Sequence, residues 1–517
     1  MNHLKVYSPR VWLILLVFCV VGLYPMITSA YTSVYTTKID GIGYKIKRDD
    51  DDTSKNLICI VSGADFEVVN ANILPEIEWE GVCYPVIAIR EYAFNGCTSL
   101  SSIVLPEGLQ SIGKSAFSGC KSLSSIVLPE GLQSIGESAF SGCKSLSSIV
   151  LPEGLQSIGE SAFSGCTSLS SIVLLEGLQS IGDRAFENCT SLSSIVLPEG
   201  LQSIGDRAFY NCTSLSSIVL LEGLQSIRGY AFYNCTSLSS IVLPEGLQSI
   251  WQSAFENCTS LSFIVLPEGL QSIWEFAFSG CTSLSYVVVP KSLGGIRPEA
   301  FQGCHIKDVI IEDGYDIISI GGFPYVETLY LGRQIIATGV FKYLSTLETV
   351  TTGNYFMEIP AETFSYCNKL RTVVLGNSIK TIGENAFTGS HSIQEITSWN
   401  PVPPSYETGF ITPLYESCTL YVPFGALEDY KEAVPWKYFR KIIEKDPAGI
   451  TDAEIQTIKL NINDAEFSIE GTEETEVLIY AIDGKLVYSG SSRNEIKIPS
   501  KGIFMVKAGT ASKKILL

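Results

Sequence analysis

The chain has 517 residues, of which 46% are hydrophobic and only 17% are charged. Its formal net charge of -19 argues against a nucleic-acid partner, because such a partner requires basic surface to neutralise its phosphates. The same charge disfavours electrostatic binding to anionic lipid. A large apolar core is possible, and the class of protein must be sought among acidic globular or repeat proteins.

The first 30 residues have the pattern of a secretory signal peptide. Lys5 and Arg10 precede an apolar run, and the small residues at 28–30 provide a cleavage site. We therefore expect the mature chain to be secreted or held on the outer cell surface, with no membrane-spanning segment after cleavage. The alternative is an uncleaved membrane anchor, although the run is short and Pro25 interrupts it.

Residues 31–85 contain stretches such as YKIKRD and NLICIVS, in which apolar residues alternate with polar ones. This alternation predicts short strands. A repeat array begins just beyond them, and the first strand of such an array exposes an unpaired edge. We expect residues 31–85 to form a β-rich N-terminal cap that covers this edge.

A 23-residue unit recurs through residues 86–304. Ten cysteines stand 23 residues apart, at positions 97, 120, 143, 166, 189, 212, 235, 258, 281 and 304. A fixed period of this length predicts a solenoid in which each unit buries its apolar side against its neighbours. The pattern L-x-x-I-x-L places Ile195 and Leu197 inward on a short strand, and Ser194 and Val196 outward. Successive strands then form a parallel β-sheet on the concave face, with turns or short helical pieces on the convex face.

The repeat becomes irregular towards the C-terminus. Residues 305–400 retain it in degenerate form, and residues 401–446, which begin with a proline-rich stretch, are expected to cap the solenoid. Residues 454–517 alternate apolar and polar residues between DG, SG and KG turns. This pattern predicts a small antiparallel β domain.

Catalytic and metal-binding signatures are missing from the sequence. It has no GxSxG, HExxH, CxxC or glycine-rich phosphate loop. One cysteine per unit does not make a metal cluster, and in-register side chains about 5 Å apart do not suit a disulfide. The cysteines are therefore expected to be buried thiols that pack as small hydrophobic residues. We expect no enzyme activity, no cofactor and no metal site.

The repeat resembles a known family. The pattern L-P-E-G-L-Q-S-I-G-x-x-A-F-x-x-C-x-S-L is similar to the BspA-like leucine-rich repeat, which is related to the treponemal repeats, over residues 86–396. Residues 418–444 resemble the segment that closes such solenoids in surface proteins of Bacteroidota. The C-terminal tail resembles a sorting domain of type IX secretion. The resemblance implies a surface protein that binds a partner, and it does not specify the ligand.

Departures from the repeat supply the candidate ligand-binding residues. Two consecutive units carry Phe263 and Tyr286 in place of the outward serine, beside an outward row of valines. Two units carry tryptophan, and the unit before them arginine, in place of the glycine that follows the SI pair. Aromatic residues and arginine are enriched in binding hot spots. The predicted site comprises Arg228, Val242, Trp251, Phe263, Val265, Trp274, Tyr286 and Val288. The alternative is that the large residues fill space where the solenoid becomes irregular.

These observations favour an adhesin-like binding protein. We expect the leucine-rich repeat solenoid to recognise a protein or glycan of the host or of a neighbouring cell, through the concave sheet and the irregular repeats. The alternative is a structural spacer on the cell surface that binds no ligand and whose length is its function.

Overall fold

A computed structural model describes residues 33–48 and 57–445, except 175, 199, 221, 298, 321–322, 337 and 407, and the strands between 459 and 516. The predicted signal peptide lies outside the described residues. The chain divides into two compact units, Met1–Leu178 and Gln179–Leu517, which are considered separately.

Six strands precede the repeats in the first unit. They are β1 (Ser33–Ile39), β2 (Ile42–Arg48), β3 (Leu57–Ala64), β4 (Asn70–Asn72), β5 (Glu76–Trp79) and β6 (Val82–Ile89). Strands β1, β2 and β3 pair antiparallel in that order, whereas β3 pairs in parallel with β6. Because β6 pairs in parallel with the first two-residue strand of the repeats, these strands cover the edge of the repeat sheet.

Most regular units contribute two short strands, one with the sequence SIV and one with the sequence SI. In chain order they are β7 (Ser102–Val104), β8 (Ser111–Ile112), β9 (Ser134–Ile135), β10 (Ser148–Val150), β11 (Ser157–Ile158), β12 (Ser171–Val173), β13 (Ser180–Ile181), β14 (Ser194–Val196), β15 (Ser203–Ile204), β16 (Ser217–Val219), β17 (Ser226–Ile227), β18 (Ser240–Val242), β19 (Ser249–Ile250), β20 (Phe263–Ile264) and β21 (Ser272–Ile273). Within each of the two compact units, strands of one kind from successive 23-residue repeats pair in parallel and in register. Ile195, for example, pairs with Ile218 of the next repeat.

The repeats therefore form a leucine-rich repeat solenoid with two kinds of parallel sheet, called the SIV sheet and the SI sheet below. The SIV sheet is the one that the sequence predicts. The SI sheet is not predicted, because two residues are too few to show an alternating pattern. Turns, and no helix, connect the two sheets in the described residues of 90–304, where short helical pieces were an alternative.

Both sheets contribute side chains to a continuous core. Ile195 and Leu197 of the SIV side and Ile204 of the SI side are buried, as the sequence predicts. Phe209 lies in the turn that follows, fully buried, and its ring stacks on the phenylalanines of the units before and after it at a centroid distance of 5.3 Å. Burial of an aromatic side chain on each turn is a large part of the driving force for stacking the units.

The residue before each cysteine of the 23-residue repeat has left-handed backbone geometry. Gly119 and Gly142 have φ of 75° and 71°, and Asn211 and Asn234 take the same position with φ of 63° and 58°. Glycine and asparagine are the residues that adopt this conformation at least cost. The Asn211 side-chain amide also donates a hydrogen bond of 3.0 Å to Asn188 Oδ1 in the preceding unit. The asparagine of the NCT triplets therefore has a structural role in the turn.

The irregular part of the second unit continues the solenoid with longer strands. Its elements are β22 (Tyr286–Val289), β23 (Gly295–Ile296), β24 (Asp308–Ile311), β25 (Thr328–Arg333), β26 (Thr349–Tyr355), β27 (Glu358–Ile359), β28 (Thr372–Leu375), β29 (Thr381–Ile382), β30 (Glu395–Ser398), α1 (Thr412–Ser417), β31 (Thr419–Pro423), α2 (Leu427–Glu432), a 3-10 helix (Trp436–Tyr438) and β32 (Lys441–Lys445). Eight of the strands form one parallel sheet in the order β22–β24–β25–β26–β28–β30–β31–β32. Trp436 is fully buried behind its last strands, where its indole N–H donates to the Pro404 carbonyl at 2.7 Å.

The last elements form two antiparallel sheets, as predicted for a small β domain. They are β33 (Lys459–Asn463), β34 (Glu466–Glu470), β35 (Glu476–Ala481), β36 (Leu486–Ser491), β37 (Ile496–Lys497), β38 (Ile503–Ala508) and β39 (Ala511–Leu516). The sheet orders are β33–β34–β37 and β36–β35–β38–β39. The side chains of these strands lie outside the described residues.

Candidate binding surface

The outward side of the SIV strands carries an exposed row of valines, called the valine row. Alternation along each strand buries the central isoleucine and turns the flanking serine and valine outward, as the sequence predicts. In the first unit the exposed fractions are 61% for Val104, 59% for Val150, 48% for Val173 and 83% for Val127, whose SIV segment forms no strand. In the second unit they are 72% for Val196 and 49% for Val219. A run of apolar side chains with this exposure is unusual on a soluble surface and indicates a contact surface.

The valine row becomes less exposed in the later units. Three valines of the predicted site are only half-buried, namely Val242, Val265 and Val288. Tyr286 shares the outward face of β22 with Val288 and is itself half-buried. The Phe263 backbone pairs with Ser240, so that it occupies the outward serine position, but its side chain lies outside the described residues. The backbone register therefore puts Phe263 in the column that holds serine in earlier units, whereas Tyr286 lies in β22, the first strand of the next sheet.

The tryptophans lie elsewhere, directly after strands of the SI sheet. Trp251 and Trp274 stack with ring centroids 5.2 Å apart and an interplanar angle of 2°. Arg297 in the next unit places its guanidinium 5.4 Å from the Trp274 ring centre, a cation–π contact. The Trp274 ring is thus covered by Trp251 on one face and by Arg297 on the other. Arg228 occupies the same repeat position one unit before Trp251, and its side chain is exposed.

The predicted site is therefore two surfaces and not one. Phe263 and Tyr286 belong to the SIV side, whereas Trp251, Trp274 and Arg228 follow the SI strands. Stacking covers one face of Trp251 and both faces of Trp274, so that Trp251, which is 44% exposed, is the more accessible of the two indoles.

A tyrosine–arginine cluster beside the tryptophans is not predicted from the sequence. Tyr210 and Tyr233 stack at 4.7 Å with an interplanar angle of 5°, and Tyr230 lies 5.9 Å from Tyr233. The Arg207 guanidinium is 5.1 Å from the centre of the Tyr230 ring. The signal was present in the sequence, since the motif AFYNC occurs in two consecutive units and puts one tyrosine on top of the other.

Acidic side chains border the valine row. The turn after each SIV strand carries an exposed glutamate among the described residues, at Glu107, Glu130, Glu153 and Glu176 in the first unit and at Glu222, Glu245 and Glu268 in the second. Like charges repeated along a surface repel one another and attract basic partners. Within the described part of the chain, no three His, Cys, Asp or Glu side chains are grouped so as to hold a metal ion.

The cysteine column is buried, as predicted. The Sγ atoms of Cys212 and Cys258 donate hydrogen bonds of 3.1 and 3.2 Å to phenylalanine carbonyls of the preceding unit. Burial raises the pKa of both thiols to about 12. A thiol that stays protonated at neutral pH is a poor nucleophile and a poor metal ligand, so this column is structural.

The fold and the repeat pattern place this chain in a family. The model of the BspA type leucine-rich repeat region matches residues 87–216, 202–330 and 331–408, more than half of the chain. The protein therefore belongs to the BspA-type leucine-rich repeat family. No curated protein matches the sequence.

Solved structures of bacterial leucine-rich repeat proteins are similar to this chain. A leucine-rich repeat protein from Bacteroides ovatus is 25% identical, with a TM-score of 0.52, over 80% of this chain and 99% of its own. The leucine-rich repeat protein of T. pallidum is 25% identical, with a TM-score of 0.27, over 47% and 87% of the two chains. The pneumococcal vaccine antigen PcpA is 19% identical, with a TM-score of 0.37, over 80% and 99%.

Among the described residues, none of the helices has the length and apolar character needed to cross a membrane.

Proposed function

We propose that this protein is a secreted or cell-surface, adhesin-like protein that recognises a partner protein through the outward side of its SIV strands. The observation that carries the proposal is the valine row, in which valines 48–83% exposed lie on successive units. Apolar surface of this kind gains free energy when a partner removes it from water, by about 25 cal/mol per Å². Membership of a leucine-rich repeat family supports a binding role over catalysis.

The chemistry of the surface favours a protein over a glycan as the partner at this face. Valine side chains supply no hydrogen bonds to sugar hydroxyls, and the tryptophans lie on the other sheet, where Trp274 is covered on both faces. The exposed glutamates border the valines on one side. We expect a partner with an apolar strip flanked by lysine or arginine, because charge complementarity speeds association and fixes orientation.

Specificity is assigned to the units that depart from the repeat. Phe263 and Tyr286, with Val242, Val265 and Val288 around them, form the proposed specific end of the SIV side. Trp251, Trp274 and Arg228 form a secondary contact on the SI side. Aromatic anchors at one end of a regular platform resemble the few residues that carry most of the energy of an interface.

Delivery to the cell surface is part of the proposal. Residues 1–30 act as the signal peptide and residues 454–517 as the sorting domain. The antiparallel sheets β33–β39 and the resemblance of the tail to a type IX secretion signal support this assignment. Deletion of residues 454–517 should shift the protein from the cell surface to the periplasm in fractionated cells, and an unchanged surface level would contradict the assignment.

The binding proposal is tested with purified protein on an array of extracellular host proteins. A variant with Val173→Lys, Val196→Lys and Val219→Lys places three charges on exposed positions of the valine row. A matched control with Gln110→Lys, Gln133→Lys and Gln156→Lys adds the same charge at other exposed positions. We expect saturable binding to a basic protein that the valine variant loses by at least tenfold and the control retains.

A second variant restores the consensus serine with Phe263→Ser and Tyr286→Ser. Loss of binding in this variant places specificity at the aromatic end, and retained binding refutes that assignment. Absence of saturable binding by the wild-type protein overturns the recognition proposal and favours a spacer, whose function should survive deletion of one complete 23-residue unit.

A further inference from the structure

A cluster of tyrosines and carboxylates lies at the carboxyl ends of strands β24, β25 and β26, in the irregular part of the second unit. Val288 pairs with Ile310, so the outward column of the valine row leads to this region. The parallel register aligns Ile310 with Tyr330 and Tyr330 with Thr351. Asp313 follows β24 by two residues and thereby comes within reach of the Tyr330 side chain. These contacts are not predicted from the sequence, because the degenerate repeats have no constant period.

The outer part of the cluster is a pair of tyrosine rings. Tyr315 is 84% exposed, more than any other aromatic side chain that the structure describes. Its ring centre is 4.6 Å from that of Tyr355 at the end of β26, and the rings meet at 74°, edge to face. This contact orients Tyr315 while leaving most of its surface open to solvent, which is the geometry of a stacking platform.

The inner part is a fixed hydrogen-bond acceptor. The Tyr330 hydroxyl donates to Asp313 at 3.1 Å to Oδ1 and 3.2 Å to Oδ2, and the Tyr330 ring is buried. A side chain on Gly353 would place its Cβ 2.6 Å from the Tyr330 hydroxyl, so that only glycine fits there. Burial raises the pKa of Tyr330, which remains a donor at neutral pH. Asp313 is thereby held in one orientation with the rest of its acceptor capacity available.

A second carboxyl group, that of Glu312, precedes Asp313 in the chain, and its side chain faces the preceding turns instead of Tyr330. The Lys291 backbone N–H donates to Glu312 Oε2 at 3.2 Å. Burial and the neighbouring Glu268 carboxylate raise the pKa of Glu312 to about 7. Near neutral pH this carboxyl group can therefore donate as well as accept a hydrogen bond.

Arg333, the last residue of β25, is buried and binds the backbone of the turn after β22. It is 1% exposed, and one of its amino groups donates to the carbonyls of Pro290 at 2.8 Å and Leu293 at 2.9 Å. In the described part of the chain its buried Nε–H has no hydrogen-bond partner. A structural role accounts for Arg333 and Tyr330, which are buried. It does not account for Tyr315, whose aromatic surface is in water near the Asp313 carboxylate.

We infer that Tyr315, Tyr355 and Asp313 form a binding site for an uncharged sugar ring of a glycan. The apolar face of the sugar stacks on Tyr315, and one or two of its hydroxyl groups donate to Asp313. A hydrogen bond to a charged acceptor is worth about 1.5–3 kcal/mol, which makes this carboxylate the main source of orientation. Sugars that carry carboxylate or sulfate groups are repelled by the same carboxylate.

This site includes none of the exposed valines from Val104 to Val219 and does not depend on the proposed function. The full chain is applied to an array that contains neutral, sialylated and sulfated oligosaccharides. The neutral oligosaccharide with the strongest signal is then titrated by calorimetry against the wild type and three variants. We expect Tyr315→Ala and Asp313→Asn to weaken binding at least tenfold, and Tyr343→Ala to leave it unchanged.

Tyr343 is the matched control, because it is 64% exposed and stacks on Tyr366, outside the cluster. The inference is overturned if no neutral oligosaccharide binds, if sialylated or sulfated ones bind more tightly, or if Tyr315→Ala binds like the wild type. Unchanged melting of Tyr315→Ala separates loss of binding from loss of folding. The lysine variants of the valine row should bind the sugar normally, which distinguishes this site from the protein-binding face.

Discussion

The Cys235 thiol donates a hydrogen bond of 3.2 Å to the backbone carbonyl of Phe209, one unit earlier along the solenoid. Nine such bonds from cysteine to phenylalanine, between 3.0 and 3.2 Å, are recorded among the described residues. In the irregular region Ser390 makes the same bond to Phe364 at 2.7 Å. The cysteine column is therefore a column of hydrogen-bond donors that hold consecutive units together.

This equivalence predicts that serine replaces cysteine better than alanine does. Cys235→Ala removes the donor and leaves space around it, and should lower the free energy of unfolding by about 1–2 kcal/mol. Cys235→Ser keeps the donor and should lose less. Thermal melting of both variants measures the difference, and a larger loss in the serine variant would show that the thiol acts only by packing.

The exposure of the thiols predicts a single reactive cysteine among those that the structure describes. Cys83 is exposed, whereas the other 13 described cysteines are buried. Burial raises the pKa of Cys97 to about 11 and that of Cys367 to about 12. Alkylation of the folded protein at pH 8, followed by mass spectrometry, should modify Cys83 alone among the described cysteines. Cys83→Ser should abolish the reaction, and denaturant should expose the rest; rapid labelling of the repeat cysteines in native buffer would refute the structural role of the column.

Truncation to alanine should lower the free energy of unfolding much more in the core than on the surface. Phe209→Ala empties a fully buried site between two stacked rings and should cost about 3–5 kcal/mol. Val196→Ala removes methyl groups that are 72% exposed and should change stability by less than about 0.5 kcal/mol. Melting temperatures of the two variants provide the comparison. Equal effects would mean that the valine row is packed against something in the isolated protein.

The carboxyl pair Glu312 and Glu268 predicts a pH dependence of stability. Glu312 keeps its proton in the folded chain up to a pKa of about 7, whereas its ordinary pKa is 4.5. The folded state therefore binds more protons over this interval, and the free energy of unfolding contributed by Glu312 falls as pH rises from about 4.5 to about 7. Glu312→Gln should flatten this part of the curve of melting temperature against pH. Glu268→Gln removes the neighbouring carboxylate and should narrow the pH interval over which stability falls. The same slope in wild type and Glu312→Gln would contradict the raised pKa.

Much of the regular solenoid could be predicted from the sequence alone. The 23-residue period places each residue beside its own copy, so that burial of Ile195 and exposure of Val196 follow for every unit once they follow for one. The SI sheet could not be predicted, since its strands are two residues long. The tyrosine pair Tyr210 and Tyr233 could have been found by aligning the units, because it obeys the same period.

The candidate sites depended on the tertiary structure to different degrees. The period put Trp251 and Trp274 in one column, but only the structure shows that their rings cover each other and that Arg297 covers the next face. Exposure of a ring face is set by side-chain rotamers and by the neighbouring unit, and no periodic pattern encodes it. The role of the tryptophans in binding therefore stays a prediction, with Trp251 the more exposed of the two.

The sequence by itself determined the family, the repeat architecture and the outward valine row, because strict repetition reduces a long chain to one local problem solved many times. The tertiary structure alone decided which residues meet where repetition fails. Burial of Arg333 beneath the turn at Pro290, and the bond from Tyr330 to Asp313, arise from strands of unequal length and loops of unequal size. Contacts of this kind depend on the path of the whole chain, and a local pattern carries no information about that path.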